Sequence, residues 1–317
     1  MDVHQPANPK AVMIILLSVL TLGGCGGERQ AAEGGAAAGE RARPLTVKGS
    51  DTMVILGQRI AEEYMKTNPG TVVQVNGGGS GTGIAALING TVDLAQSSRA
   101  MSDEEKASVR QNRGAAVVET PVALDSLAVF VHASNPVRSL TMDQIKQIYQ
   151  GRITRWNQIG GPNETIVLYG RENSSGTYDY FREHVLNEED FAPRVQTLAG
   201  TAAVINAVAR DRNSIGYGGI AYASEVRPLE IAAEGKAAVA PSEQTVADST
   251  YPLARHLYFY HLEGAPERVT DFVEYTLSAE GQALVAGVGY FPLTQGGATG
   301  GASEGVASSE TSGANAP

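Results

Sequence analysis

Cysteine is nearly absent: Cys25 is the only one in 317 residues. No set of His, Cys and Asp residues has the spacing of a metal site, so neither a metal nor a cofactor is expected. Histidine is scarce as well. The five histidines, at positions 4, 132, 184, 256 and 261, lie outside every glycine- and serine-rich loop, which leaves a serine nucleophile in those loops without a base. The single tryptophan, Trp156, reads with Tyr149 as core packing rather than a sugar platform. Basic charge is in deficit, with 24 Lys and Arg against 34 Asp and Glu and a formal net charge of -10. Nucleic acid needs a basic footprint, and no Lys/Arg cluster offers one. The one sustained apolar run, residues 11–22, is too short for an ordinary membrane span and has the length of an export-signal core.

What is present begins with that run. Lys10 precedes it, and it ends in Leu22-Gly23-Gly24-Cys25, which resembles the lipobox of bacterial lipoproteins. Residues 1–24 are expected to be a signal peptide. Cys25 is expected to become the acylated, palmitate-bearing N-terminus, anchoring an exported protein to the extracytoplasmic or periplasmic face of a membrane. Cleavage there removes one acid, Asp2, and one base, Lys10, and leaves the side-chain charge unchanged. Residues 25–43 then form a tether too poor in apolar side chains to fold, and residues 296–317, rich in Gly, Ser and Ala, read as a disordered tail.

Between these ends, strand-like runs alternate with amphipathic segments, the pattern of an α/β fold. Strands are expected near residues 45–48, 71–75, 92–95, 127–131, 166–169 and 257–260. Helices are expected over 55–66, after 83, after Ser102, after Thr141, around Phe181 and over 271–284. Ser102 with Glu105 and Thr141 with Gln144 have capping-box spacing.

The loops carry the chemistry. GGGSGTG, residues 77–83, lacks the Lys and Ser/Thr of a P-loop, since Ile84 and Ala85 stand in those places. It fails the dinucleotide fingerprint and the Gly-x-Ser-x-Gly serine-hydrolase elbow too. What remains is a strand, a small-residue loop with a hydroxyl, and a helix start, a combination suited to an anion. It recurs in Gly49-Ser50-Asp51-Thr52-Met53, in Gln96-Ser97-Ser98-Arg99, and in Arg171 to Thr177. Each places hydroxyls where open α/β sheets bind ligands. Arg99 and Arg171 each need a carboxylate or an anionic ligand.

At these residues the sequence resembles the phosphate-binding component of bacterial phosphate ABC importers. The stretches that carry the resemblance are VKGSDTM (47–53), VNGGGSGTGIAALINGTVDLAQSSRAM (75–101), ALDSLAVFVHASNPV (123–137), LTMDQIKQIYQGRITRWNQIGG (140–161), GRENSSGTYDYF (170–181) and NSIGYGGIAYA (213–223). It implies a two-lobed periplasmic-binding-protein fold of type II, each lobe a mixed sheet flanked by helices, joined by hinge strands. Lobe one is expected over 44–128 plus 258–295 and lobe two over 129–257, with crossings near 127–131 and 257–260. The resemblance also implies phosphate contacts at Thr52, the Met53 amide, Ser80, the Ser98–Arg99 segment, Arg171, Ser175, Gly176 and Thr177. Some relatives hold an aspartate where Ser98 stands, to accept the proton of phosphate. Here Asp51 and then Asp125 are the candidates, with a helix-capping role for Asp51 as the alternative. The expected function is non-catalytic: a monomer that closes on inorganic phosphate and delivers it to ABC permease subunits. The alternatives are a receptor for sulfate, molybdate or tungstate, and a phosphatase-like hydrolase using Ser80 or Ser175.

Overall fold

The computed structural model describes residues 43–293. The signal peptide, Cys25, nearly all of the tether and the tail from 296 lie outside them. Among the described residues twelve strands run in chain order as β1 Leu45–Gly49, β2 Val73–Asn76, β3 Leu94–Ser97, β4 Val117–His132, β5 Ser139–Thr141, β6 Val167–Arg171, β7 Gln196–Leu198, β8 Ser214–Gly219, β9 Val226–Pro228, β10 Glu230–Ala232, β11 Ala238–Val239 and β12 Ala254–Leu262. The helices are α1 Val54–Thr67, α2 Ser80–Ile88, α3 Asp103–Arg113, α4 Met142–Tyr149, α5 Gly176–His184, α6 Thr201–Arg210, α7 Glu243–Ala247, α8 Glu267–Leu277 and α9 Ala279–Val288.

Nine strands are linked in the order β2-β1-β3-β12-β4-β8-β6-β7, with β9 on β4; β11-β10-β5 form a separate small sheet. The parallel strands β2, β1 and β3 form one end of the order and β8, β6 and β7 the other. Strand β4 joins them: its first part pairs antiparallel with β12, and Leu127 to Val131 pair with β8. Helices cover both faces at each end. On the first, Leu56 and Ile60 of α1 pack with Phe272 of α8 on one face, and Ile84 of α2 with Val109 of α3 on the other. On the second, Ile148 of α4 packs with Phe181 of α5, and Val204 of α6 packs opposite with Phe130. The cores divide near Leu127 on the outward crossing and Leu253 on the return, since Leu127 and Leu253 join one core while Ala123 and Leu257 join the other. We therefore divide the chain into lobe one, 44–126 plus 254–293, and lobe two, 127–253. The return crossing thus falls before the expected 257–260, because β12 already pairs with β4 of lobe one from Ala254 onward.

Both capping boxes form: Ser102 and Thr141 accept from the amides of Glu105 and Gln144, whose side chains reach back. The helix expected over 271–284 is two helices. Ser278 is extended and its hydroxyl accepts from the Gly281 amide, which starts α9 in a new direction.

Asp93 ties the start of β3 to β1 and α8. Its carboxylate accepts from the Thr46 amide and hydroxyl, both at 2.9 Å, and from Arg268 at 2.9 Å. Burial pushes this carboxyl up, but those donors outweigh it and hold it below the usual range. A carboxyl depressed in the folded state contributes stability that is complete above the unfolded value, about 4, and is lost as pH falls through the folded one. Asp93→Ala is expected to lower the unfolding free energy by about 2 kcal/mol at neutral pH. In urea titrations the gap to the native chain should close as pH drops below about 4.

Candidate anion site between the lobes

The ends of β1, β2, β3 and β6 meet where the lobes face each other. Strand β1 stops at Gly49, and a short 3-10 turn, Asp51–Met53, sets the buried hydroxyl of Thr52 at the entry to α1. Gly79 precedes Ser80, the first residue of α2, and Ser98 follows β3. From lobe two, β6 ends at Arg171, and Ser175 caps α5 by accepting from the Thr177 and Tyr178 amides.

These residues come from loops far apart in the chain and touch. Thr52 Oγ1 lies 2.9 Å from Thr177 Oγ1 and 3.4 Å from Thr201 Oγ1. Ser98 Oγ lies 3.4 Å from both Ser80 Oγ and Thr177 Oγ1, and the Ser98 amide donates to Ser80 Oγ at 3.1 Å. All five hydroxyl side chains are buried. So many polar groups in a dry place demand partners, and a hydroxyl cluster spanning two cores serves packing poorly.

The backbones are equally close. The Gly81 amide donates to the Ser174 carbonyl across the cleft at 3.0 Å. A Cβ on Gly79 would strike that same carbonyl, and one on Gly176 would strike Ser80 Oγ. The small residues of 77–83 therefore let one lobe seat on the other.

Charge in the cluster is balanced. Arg171, 2% exposed, donates from Nη2 to Asp51 Oδ2 at 2.8 Å and from Nη1 to Thr201 Oγ1 at 2.9 Å. Burial pulls its pKa down and Asp51 opposes that, but a guanidinium keeps its proton. Its Nε is buried with no hydrogen-bond partner among the described residues. Asp125, fully buried, accepts from Arg255 Nε and Nη2 and from the Ile220 amide. Burial pushes its carboxyl up, and Arg255 opposes that shift. Tyr222, pushed up to about 12 mainly by burial, stays a neutral donor to the Asp51 carbonyl, and Tyr290 donates to the Thr52 carbonyl.

Thr52, Ser80, Ser98, Arg171 and Thr177 thus converge as the sequence suggests, with Ser175 and Gly176 alongside. Three of the expected groups are engaged with other partners here. The Met53 amide is committed to the Ser50 carbonyl by the 3-10 turn, and its side chain packs in the lobe-one core. The Arg99 guanidinium is spent on carboxylates, paired with both oxygens of Glu105 and, across the lobes, with Asp179 at 2.8 Å. Of the Ser98–Arg99 segment it is Ser98 that faces the cluster, through its hydroxyl and its amide. Asp51 does not cap its own helix: it accepts from the Gly78 amide and from Arg171. Neither Asp51 nor Asp125 is therefore an unpartnered acceptor.

Thr201 and Arg255 belong to the cluster and were not among the sequence candidates. Thr201 repeats the same grammar, a strand, a glycine and a hydroxyl at a helix start, but β7 is only Gln-Thr-Leu, whose single apolar residue makes no strand pattern. Arg255 sits inside an apolar run, and nothing local marks it. Among the described residues no group of His, Cys, Asp and Glu could hold a metal.

A family model described as a PBP superfamily domain matches residues 31–280. The phosphate-binding protein PstS of Pseudomonas aeruginosa is 37% identical over 268 residues, covering 78% of this chain and 83% of its own. Protein SphX of Synechococcus elongatus is 34% identical over 262 residues, covering 78% and 77%. Among solved structures, a phosphate ABC transporter substrate-binding protein with bound phosphate from Clostridium perfringens aligns with a TM-score of 0.73 at 29% identity, over 80% of this chain and 100% of that one.

Proposed function

This chain belongs to the PBP superfamily, among the PstS-like phosphate-binding proteins, and from that premise we propose that it closes on inorganic phosphate between its lobes and delivers it to an ABC permease. The observation that carries the reading is the buried convergence of Thr52, Ser80, Ser98, Thr177 and Thr201 with Arg171, from loops of both lobes. Arg171 and Arg255 are each matched by a carboxylate, so a tetrahedral anion would be held by hydroxyls, helix-start amides and the spare Nε of Arg171. A charge-assisted hydrogen bond contributes roughly 1.5–3 kcal/mol, and several together can replace a hydration shell.

The same geometry argues against hydrolysis. The hydroxyls of Ser80 and Ser175 hydrogen-bond to hydroxyls or amides, with no histidine among their partners in the described residues, so neither has a base there to activate it. We read the protein as a non-catalytic monomeric receptor, exported and held at the membrane by a lipid on Cys25. No helix among the described residues is long and apolar enough to cross a membrane.

The test is a competition titration. Phosphate should bind one to one, and sulfate at the same concentration should leave it in place. Displacement by equimolar sulfate or molybdate would reassign the site to a general oxyanion receptor.

A further inference from the structure

We propose that Arg255 is a positioning residue for the anion, orienting the Thr177 hydroxyl so that its hydrogen points away from the guanidinium and into the cluster; this rests on the phosphate reading of the cleft. Arg255 lies at the start of β12 and Asp125 is its cross-strand partner on β4, so the pair stands on the two strands that pass between the lobes. Arg255 Nε and Nη2 are fixed on Asp125 Oδ2, at 2.9 and 2.8 Å, and its guanidinium sits 5.4 Å from the centre of the Tyr180 ring. One arm is left, and Nη1 lies 3.2 Å from Thr177 Oγ1.

A guanidinium only donates, so Thr177 must accept there. A hydroxyl has one hydrogen, and with a lone pair taken by Arg255 that hydrogen is released toward Thr52, Ser98 or a bound anion. Arg171 treats Thr201 in the same way, with one arm on Asp51 and Nη1 on the threonine. Two neutralised arginines thereby aim two hydroxyl hydrogens into the cluster, adding no net charge of their own. A buried ion pair is weak evidence for a stabilising role, since an apolar pair of similar volume often does as well. Orientation of Thr177 gives this pair a use that stability does not.

Removing Arg255 alone would strand the Asp125 charge, so the test compares the native chain with D125N/R255M, each with and without T177V, by phosphate calorimetry and thermal melting. Replacing the pair is expected to weaken phosphate binding about tenfold where Thr177 is present. Where valine replaces Thr177, it should change binding less than about twofold. Any loss of melting temperature should be similar in both backgrounds. Equal losses of affinity in the two backgrounds would show Arg255 acting as a general charge, and no loss in either would show it acting only on the fold; both overturn the proposal. Failure of the native chain to bind phosphate would instead remove the reading of the cleft on which the proposal rests.

Discussion

Arg171→Ala is expected to weaken phosphate binding by about two to three orders of magnitude in a calorimetric titration while the chain remains folded. Truncating one member of a buried, hydrogen-bonded charge pair costs roughly 2–5 kcal/mol, much of it from the partner left behind. Here the upper part of that range is expected for the ligand and the lower part for the fold. Arg171 is almost wholly buried, and its Nε is the one guanidinium nitrogen of the cluster without a partner among the described residues. The Asp51 side chain is 21% exposed and keeps the Gly78 amide, so its charge is not stranded in a dry core. Far-ultraviolet dichroism should be native. Unchanged affinity would mean that the anion is held elsewhere.

The second large effect concerns closure. Gly79 has φ of +93°, a conformation that side chains resist, and a Cβ there would collide with the Ser174 carbonyl of the opposite lobe. Gly79→Ala is expected to weaken phosphate binding by about ten- to a hundredfold, since strain of this kind costs of order 1–3 kcal/mol and the lobes can no longer seat. Gly114 supplies the control. It also has a positive φ, +68°, at the C-cap of α3, but a Cβ there meets nothing. Gly114→Ala should lower the melting temperature and leave phosphate affinity intact. Small-angle scattering separates the two: the contraction on adding phosphate should survive in Gly114→Ala and vanish in Gly79→Ala. Native contraction in both would contradict the role given to the glycine loop.

The legible part of this molecule was the part written locally. Capping boxes, glycines at strand ends and hydroxyls at helix starts are short-range signals, and they mark the four loops that carry Thr52, Ser80, Ser98, Arg171 and Thr177; the choice of those residues within the loops is what the family resemblance implies. What the sequence hid depends on contacts between distant segments. The use of Arg99 is decided by Glu105, six residues on, and by Asp179, eighty residues away in the other lobe. Arg255 occupies a place in an apolar strand that looks wrong until β4 brings Asp125 beside it. The break at Ser278 was readable as a cap, but the apolar pattern on both sides disguised it as one helix. Thr201 was missed because three-residue β7 owes its existence to pairing with β6 rather than to its own composition. The return crossing was misplaced for the same reason, since apolar strand residues do not say which lobe's sheet they join.

The central claim is that one small tetrahedral anion is held jointly by both lobes at the hydroxyl cluster. A crystal structure of the protein grown with phosphate tests it most directly. Expected is a single tetrahedral ion whose oxygens lie within about 2.6–3.1 Å of Thr52 Oγ1, Ser80 Oγ and Thr177 Oγ1, and of the Arg171 guanidinium. Phosphate bound at one lobe alone, or on the outer surface with the hydroxyls still closed on one another, would contradict it.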